Sequence, residues 1–175
     1  MTNIPIAETC RLVLETLTLD DADLMLSIWN DPDFHRFVGD RGIRTIEEAH
    51  VAMKAGVLKL YEDYGYGPYR LVRKDDGQAV GLCGLFRRDA LKHADIGYSV
   101  LPAYARQGFA FEAGQAVIKL ARNRFQLDVI KAIISPLNRP SIALAEKLGF
   151  TYESLIRLHE DEDEVNLYHL DLESV

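Results

Sequence analysis

The sequence predicts a mixed α/β fold, α+β in the order of its elements, built as a single domain over residues 1–175. Three observations carry this. Strand-type and helix-type patterns alternate along the chain in the order βααβββαβαββ, a mostly antiparallel sheet of about seven strands with about four helices. Hairpin signals dominate the middle and the end, with one strand-helix-strand-helix stretch between them, where parallel pairing is expected. The 175 residues, 48% apolar and 27% charged, suit one globular core.

The elements follow in order. Arg11–Leu17 (RLVLETL) alternates apolar and polar and reads as a strand. TLDDADLMLSIWNDP reads as a short helix capped near Thr18 or Asp20, with Leu24, Leu26, Ile28 and Trp29 on its apolar side and Asn-Asp-Pro ending it. Thr45 and Glu48 form a capping box for a longer helix, with Ala49, Met53, Val57 and Leu60 at helical spacing. Two strands follow around the Asp75-Asp76-Gly77 turn signal. A third, HADIGYSVLP, places Ile96, Tyr98 and Val100 on one face and is closed by Pro102. From Phe109 to Phe125 the pattern is helical, with Ala110, Ala113, Val117, Leu120 and Ala121 as its stripe. Val129–Ser135 is a near-continuous apolar run, as in a buried central strand. NRPSIALAEKLGF is a short helix ended by Gly149, and two last strands flank the acidic turn EDEDE.

Composition excludes several functions. A net charge of −7 argues against a nucleic-acid partner, which needs a basic face. No apolar run approaches the ~20 residues of a membrane span, and MTNIPIAETC lacks the basic start and apolar stretch of a signal peptide. A cytoplasmic protein is expected. Cys10 and Cys83 are expected to be free thiols. The five histidines show no i, i+4 pairing and no CxxC nearby, so no metal is expected.

The chemistry centres on YARQGFAFEA, Tyr104–Ala113. A strand that enters a glycine-containing loop and then a helix prepares an anion site. The first N–H groups of a helix lack internal partners, the macrodipole is positive there, and glycine lets a phosphate approach the backbone. Gly108 stands at that point, with Arg106 and Gln107 at the rim. Many helices start after a glycine, and neither GxGxxG nor a P-loop is present, so the motif alone is weak. A second motif lies one strand further on: Asn138-x-x-Ser141, then Glu146-Lys147-Leu148-Gly149-Phe150.

Together these resemble the GNAT N-acyltransferase superfamily. In that family an R/Q-x-x-G-x-G/A loop grips the pyrophosphate of acetyl-CoA, and an N-x-x-S…EKLGF helix follows the next strand. RLVLETLTLDDADLMLSIWNDPD and DIGYSVLPAYARQGFAFEA further resemble the RimJ/RimL-type branch, which includes acetyltransferases of ribosomal-protein N-termini. The resemblance covers Arg11 to Leu172. It implies the GNAT fold, a CoA thioester as cosubstrate, an amine acceptor (a protein N-terminus or a small amine) and, at family level, a homodimer.

The resemblance also implies positions. Arg106, Gln107, Gly108, Phe109, Ala110 and Phe111 would present backbone N–H groups to the pyrophosphate. The first R/Q of the pattern falls on Ala105, so Arg106 or Gln107 would supply the polar contact. Tyr98, Ser99 and Val100 would splay from the neighbouring strand at a bulge, bind the pantetheine arm and aim a backbone N–H at the thioester carbonyl, as an oxyanion hole does. Asn138 would contact the pantetheine. Many members protonate the leaving thiolate with a tyrosine just before the E-x-x-G-F end. Ala145 stands there, which leaves Ser141 as the candidate donor, or as a helix cap. Asp95 and Glu112 are candidate bases, Glu112 being better suited to the helix dipole. Trp29, Phe34 and Phe37 fall among the family's acceptor-side elements, and Tyr66 belongs to a tyrosine-rich loop suited to a pocket mouth. Two other readings stay open: a non-catalytic acyl-CoA-binding or sensing module, and a nucleotide-binding α/β protein with an ordinary phosphate loop.

Overall fold

The structure is a computed structural model that describes residues 2–175. One mixed, mostly antiparallel sheet organises it. Its strands are β1 (Pro5–Glu8), β2 (Leu12–Thr16), β3 (Pro68–Arg73), β4 (Ala79–Phe86), β5 (Asp95–Val100), β6 (Val129–Ile134), β7 (Thr151–Ile156) and β8 (Val165–Asp171). They lie in the order β1-β2-β3-β4-β5-β6-β8-β7, and every neighbouring pair is antiparallel except β5 with β6. The eighth strand is β1, an edge strand too short and too exposed to show a period in the sequence.

The helices are α1 (Ala22–Trp29), α2 (Pro32–Phe37), α3 (Ile46–Ala55), α4 (Val57–Tyr64), α5 (Phe109–Asn123) and α6 (Arg139–Lys147). Six stand where about four were expected, for local reasons. Asp31 and Pro32 end α1 and at once start α2, with the Asp31 carboxylate accepting from the N–H groups of Asp33 and Phe34. Gly56, at φ −116° and ψ −97°, breaks the predicted long helix into α3 and α4. The capping box of Thr45 and Glu48 is formed as predicted, and Thr18 makes a second one with Asp21.

Two apolar layers cover the two faces of the sheet. The larger packs α5 and α6 on one face through Val117, Ala121, Ile130, Leu148 and Phe150. The smaller packs α1, α3 and α4 on the other through Met25, Ile28, Trp29, Met53 and Leu82. The buried side of α1 is Ala22, Met25, Ile28 and Trp29, whereas Leu24 and Leu26 are only partly covered. That shift of about a quarter-turn follows the sheet surface, which the helical period alone does not specify. Among the described residues no helix is long and apolar enough to cross a membrane.

Candidate active site

The parallel pair β5–β6 opens into a cleft. Its ladder holds a single partner pair, Asp95 with Lys131, fixed by the Lys131 N–H on the Ala94 carbonyl at 2.9 Å. Beyond it the strands diverge. On its other side β5 is fully paired with β4, from Phe86–Asp95 to Gly81–Val100. The bulge expected in β5 is therefore not there. The irregularity lies one strand over, between Leu71 and Val72 of β3, where β4 carries an extra residue. The Leu101 N–H bonds the Val80 carbonyl at 2.8 Å. By the two-residue period, the N–H groups of Ile96, Tyr98 and Val100 then face away from β4, into the cleft.

The predicted loop follows the end of β5 that has left β6. Arg106 and Gly108 both have positive φ, 61° and 82°. Gly108 is the N-cap of α5 and no side chain caps that helix. Among the described residues the N–H groups of Gly108, Phe109, Ala110 and Phe111 donate to no protein acceptor. Four orphan donors at the positive end of a 15-residue helix make an anion cradle. A Cβ on Gly108 would meet only Arg11 Nη2, at 3.3 Å, so the space above the loop is open. This fits a diphosphate approaching the backbone.

Arg11 is the residue that sequence reading missed. Its Nη1 donates to the Gln107 carbonyl at 2.8 Å, its Nε donates to Glu112 at 2.7 Å, and its guanidinium lies 4.5 Å from the Phe109 ring centroid. Glu112 also accepts from the Arg11 N–H at 2.7 Å and from the Thr9 hydroxyl at 2.5 Å. With both oxygens engaged, Glu112 is a strut of the loop. Although burial opposes ionisation, the Thr9 and Arg11 donors hold its pKa below the usual carboxylate range.

The far wall of the cleft is α6. Asn138 is its cap, with Oδ1 accepting from the Ser141 N–H at 3.2 Å. Capping therefore falls to Asn138 and leaves the Ser141 hydroxyl free for other work. That hydroxyl donates to Tyr98 Oη at 3.1 Å, while the Tyr98 hydroxyl donates to the Ser141 carbonyl at 2.9 Å. The pair bridges β5 and α6. Burial pushes the Tyr98 phenol up to about 12, only partly opposed by Ser141, so it is protonated at neutral pH. Ala145 is fully buried.

Asp95 sits at the joined end of the cleft, 1% exposed, with Arg88 Nε bonding its two oxygens at 3.0 and 3.2 Å. Burial raises its pKa to about 6 against the pull of Arg88. Beside it the buried Lys131 pairs with Glu153 at 2.5 Å and lies 3.1 Å from His169 Nδ1. Asp95 is four residues from Ser99, about 13 Å along the strand.

On the face that carries Asp95, Gly97 and Ser99, Trp29, Phe34 and Phe86 belong to one apolar cluster. Phe37 is half-buried on α2 with the Arg36 guanidinium 4.9 Å from its ring centroid. Tyr66 is not with them. It packs in the other layer, its ring 5.4 Å from that of Phe125, just past the end of α5 opposite Gly108. Its apolar ring is drawn into the larger core. Among the described residues no group of three or more His, Cys, Asp or Glu could hold a metal, and both cysteines are free thiols.

Comparison with known proteins gives the family. The model of the acetyltransferase (GNAT) domain matches residues 11–151. The uncharacterized N-acetyltransferase YoaA of Bacillus subtilis (strain 168) is 31% identical over 155 residues, 87% of this chain and 86% of that one. An acetyltransferase structure from Agrobacterium tumefaciens superposes with a TM-score of 0.80 at 22% identity, over 97% of this chain and 96% of the other. The ribosomal-protein alpha-N-acetyltransferase RimL, solved in complex with coenzyme A, gives 0.76 at 20% identity, over 97% and 98%. The chain therefore belongs to the acetyltransferase (GNAT) domain family and is an N-acetyltransferase.

Proposed function

We propose that the protein transfers the acetyl group of acetyl-CoA to a primary amine by direct attack within a ternary complex. The observation that carries this is the uncapped start of α5 at Gly108, reached from the end of β5 that is no longer paired with β6. When bound there, acetyl-CoA supplies an activated acetyl thioester.

The chain's own groups then have separate tasks. Backbone N–H groups from Gly108 to Phe111, with Arg106 and Gln107 at the rim, hold the pyrophosphate. The N–H groups of Tyr98 and Val100 face the cleft and stabilise negative charge on the thioester oxygen, with Ser99 between them and the Asn138 side chain near the pantetheine arm. The amine nitrogen bonds the carbonyl carbon, the carbon–sulfur bond breaks and the electron pair leaves on sulfur. Ser141 turns its O–H from Tyr98 to that sulfur. Asp95 takes the amine proton. Its distance along β5 requires water between the two, and its raised pKa suits it to a base that works near neutrality. Trp29, Phe34 and Phe37 shape the acceptor side, and orientation supplies much of the rate.

The test is thiol release from acetyl-CoA with a panel of N-terminal peptides and small amines, together with competition of CoA against ATP for binding. Thiol release that depends on an amine supports the reading. Binding of acetyl-CoA without release with any amine would instead make the protein a sensing module, and displacement of CoA by ATP would make it a nucleotide binder.

A further inference from the structure

The acceptor side of the cleft carries two arginines whose charge the protein leaves largely unanswered. Arg88 bonds Asp95 through Nε alone, and its guanidinium lies 5.7 Å from the Phe86 ring centroid. Its Nη groups have no acceptor among the described residues. Arg41, in the loop between α2 and α3, lies 5.6 Å from the Trp29 ring centroid and 5.9 Å from that of Phe34. Among the described residues it makes no ion pair and no side-chain hydrogen bond. The carboxylate next to it, Asp40, is already engaged by Arg44 at 2.5 Å and by the Gly42 N–H at 2.8 Å.

Trp29, Phe34 and Phe86 belong to one cluster, so the two guanidinium groups lie on the same side of the sheet. The surrounding protein and the charge of Arg88 both disfavour the charged form of Arg41. Two cations that feel each other's charge, of which only Arg88 has a carboxylate partner, leave free N–H groups on both and attract an anion. A guanidinium braced on an aromatic face and open to solvent is a planar fork for a carboxylate.

We infer that Arg41 and Arg88 bind a carboxylate carried by the acceptor, so that the substrates are amines with a carboxylate a few bonds away. The carboxylate is either the α-carboxylate of a free amino acid or the side chain of an acidic first residue of a peptide. Polyamines, which are purely cationic, are repelled. This inference rests on the acetyl-transfer reading. Asp95, bonded by Arg88, keeps its role at the amine.

Matched acid and amide pairs test it. Alanine against alaninamide probes the α-carboxylate. Peptide amides that begin with glutamate or glutamine probe the side chain. Spermidine is the cationic control. In thiol-release assays the acid of at least one pair should exceed its amide about tenfold or more in kcat/KM, in line with a charge-assisted hydrogen bond. Arg41→Gln should bring that ratio close to one with CoA affinity unchanged, and Arg41→Glu should turn the preference towards spermidine. Calorimetry with the N-acetylated forms of the same pairs, without acetyl-CoA, should show the same preference and its loss in Arg41→Gln. Amides or spermidine used as well as the acids, or a ratio that Arg41→Gln leaves intact, would overturn the inference. Absence of thiol release with every amine would overturn the transfer reading, while calorimetry would still decide the arginine claim.

Discussion

Arg11 and Glu112 lie 101 positions apart in sequence, yet Arg11 Nε is 2.7 Å from Glu112 Oε2, and the same arginine reaches the Gln107 carbonyl at 2.8 Å. One side chain from the start of β2 thus ties the first turn of α5 to the loop that precedes it. The Arg11 side chain is 44% exposed, so its ion pair contributes little to global stability. Its effect should be on ligand binding. Arg11→Ala is expected to weaken CoA binding about tenfold in calorimetry while the melting temperature moves by only a few degrees. An equal loss of affinity and of fold would refute a local role.

Gly108 carries the second prediction. At φ 82° an alanine is strained by about 1 kcal/mol, and its Cβ would press on Arg11 Nη2. Gly108→Ala should lower stability by about that amount and weaken CoA further than Arg11→Ala does. Larger side chains, such as Gly108→Trp, should abolish CoA binding in a chain that still folds, as circular dichroism and calorimetry would report. Intact affinity in Gly108→Trp would show that the loop does not hold CoA.

Ser141 and Tyr98 separate the leaving-group step from binding. A CoA thiolate leaves readily, so the loss in Ser141→Ala should sit at the low end for a general acid, about 10²-fold in kcat, with KM for acetyl-CoA little changed. Tyr98→Phe keeps the ring but releases the Ser141 carbonyl and hydroxyl, and should cost less than Ser141→Ala. Steady-state kinetics checks both. Unchanged turnover in Ser141→Ala would remove the serine from the mechanism.

Asp95 sets a pH dependence. A base must be ionised to act, and burial has moved this carboxyl up to about 6. The free-enzyme profile of kcat/KM should therefore rise through pH about 6 and level off above it. Asp95→Asn should lower the plateau and abolish that limb, while CoA affinity stays within a few-fold. A limb that persists in Asp95→Asn would assign it to another group.

Much of the fold is legible in the sequence because the relevant signals are local. The alternation of Ile96, Tyr98 and Val100 places them on one face, and all three contribute to the larger core. Thr45 and Glu48 announce a helix start that forms as written. The errors are local too: Gly56 divides a helix whose apolar period runs on unbroken across it, and β1 is too short to show a period. A loop of tyrosines has no period to show which way each ring turns, and for Tyr66 packing against Phe125 decides it.

By itself the sequence determined most of the strand and helix order, the glycine loop before α5, the Asn138 to Phe150 helix and hence the family, because each rests on residues adjacent in the chain. Tertiary structure decided what depends on distant residues meeting. It brought Arg11 to Gln107 and Glu112, set the Tyr98 hydroxyl on Ser141, buried Asp95 beside Arg88 and left Arg41 without an ion pair among the described residues. The physical reason is that hydrogen-bond geometry, burial and the fields of neighbouring charges are properties of the packed state, and they set which of the legible residues can act and with what charge.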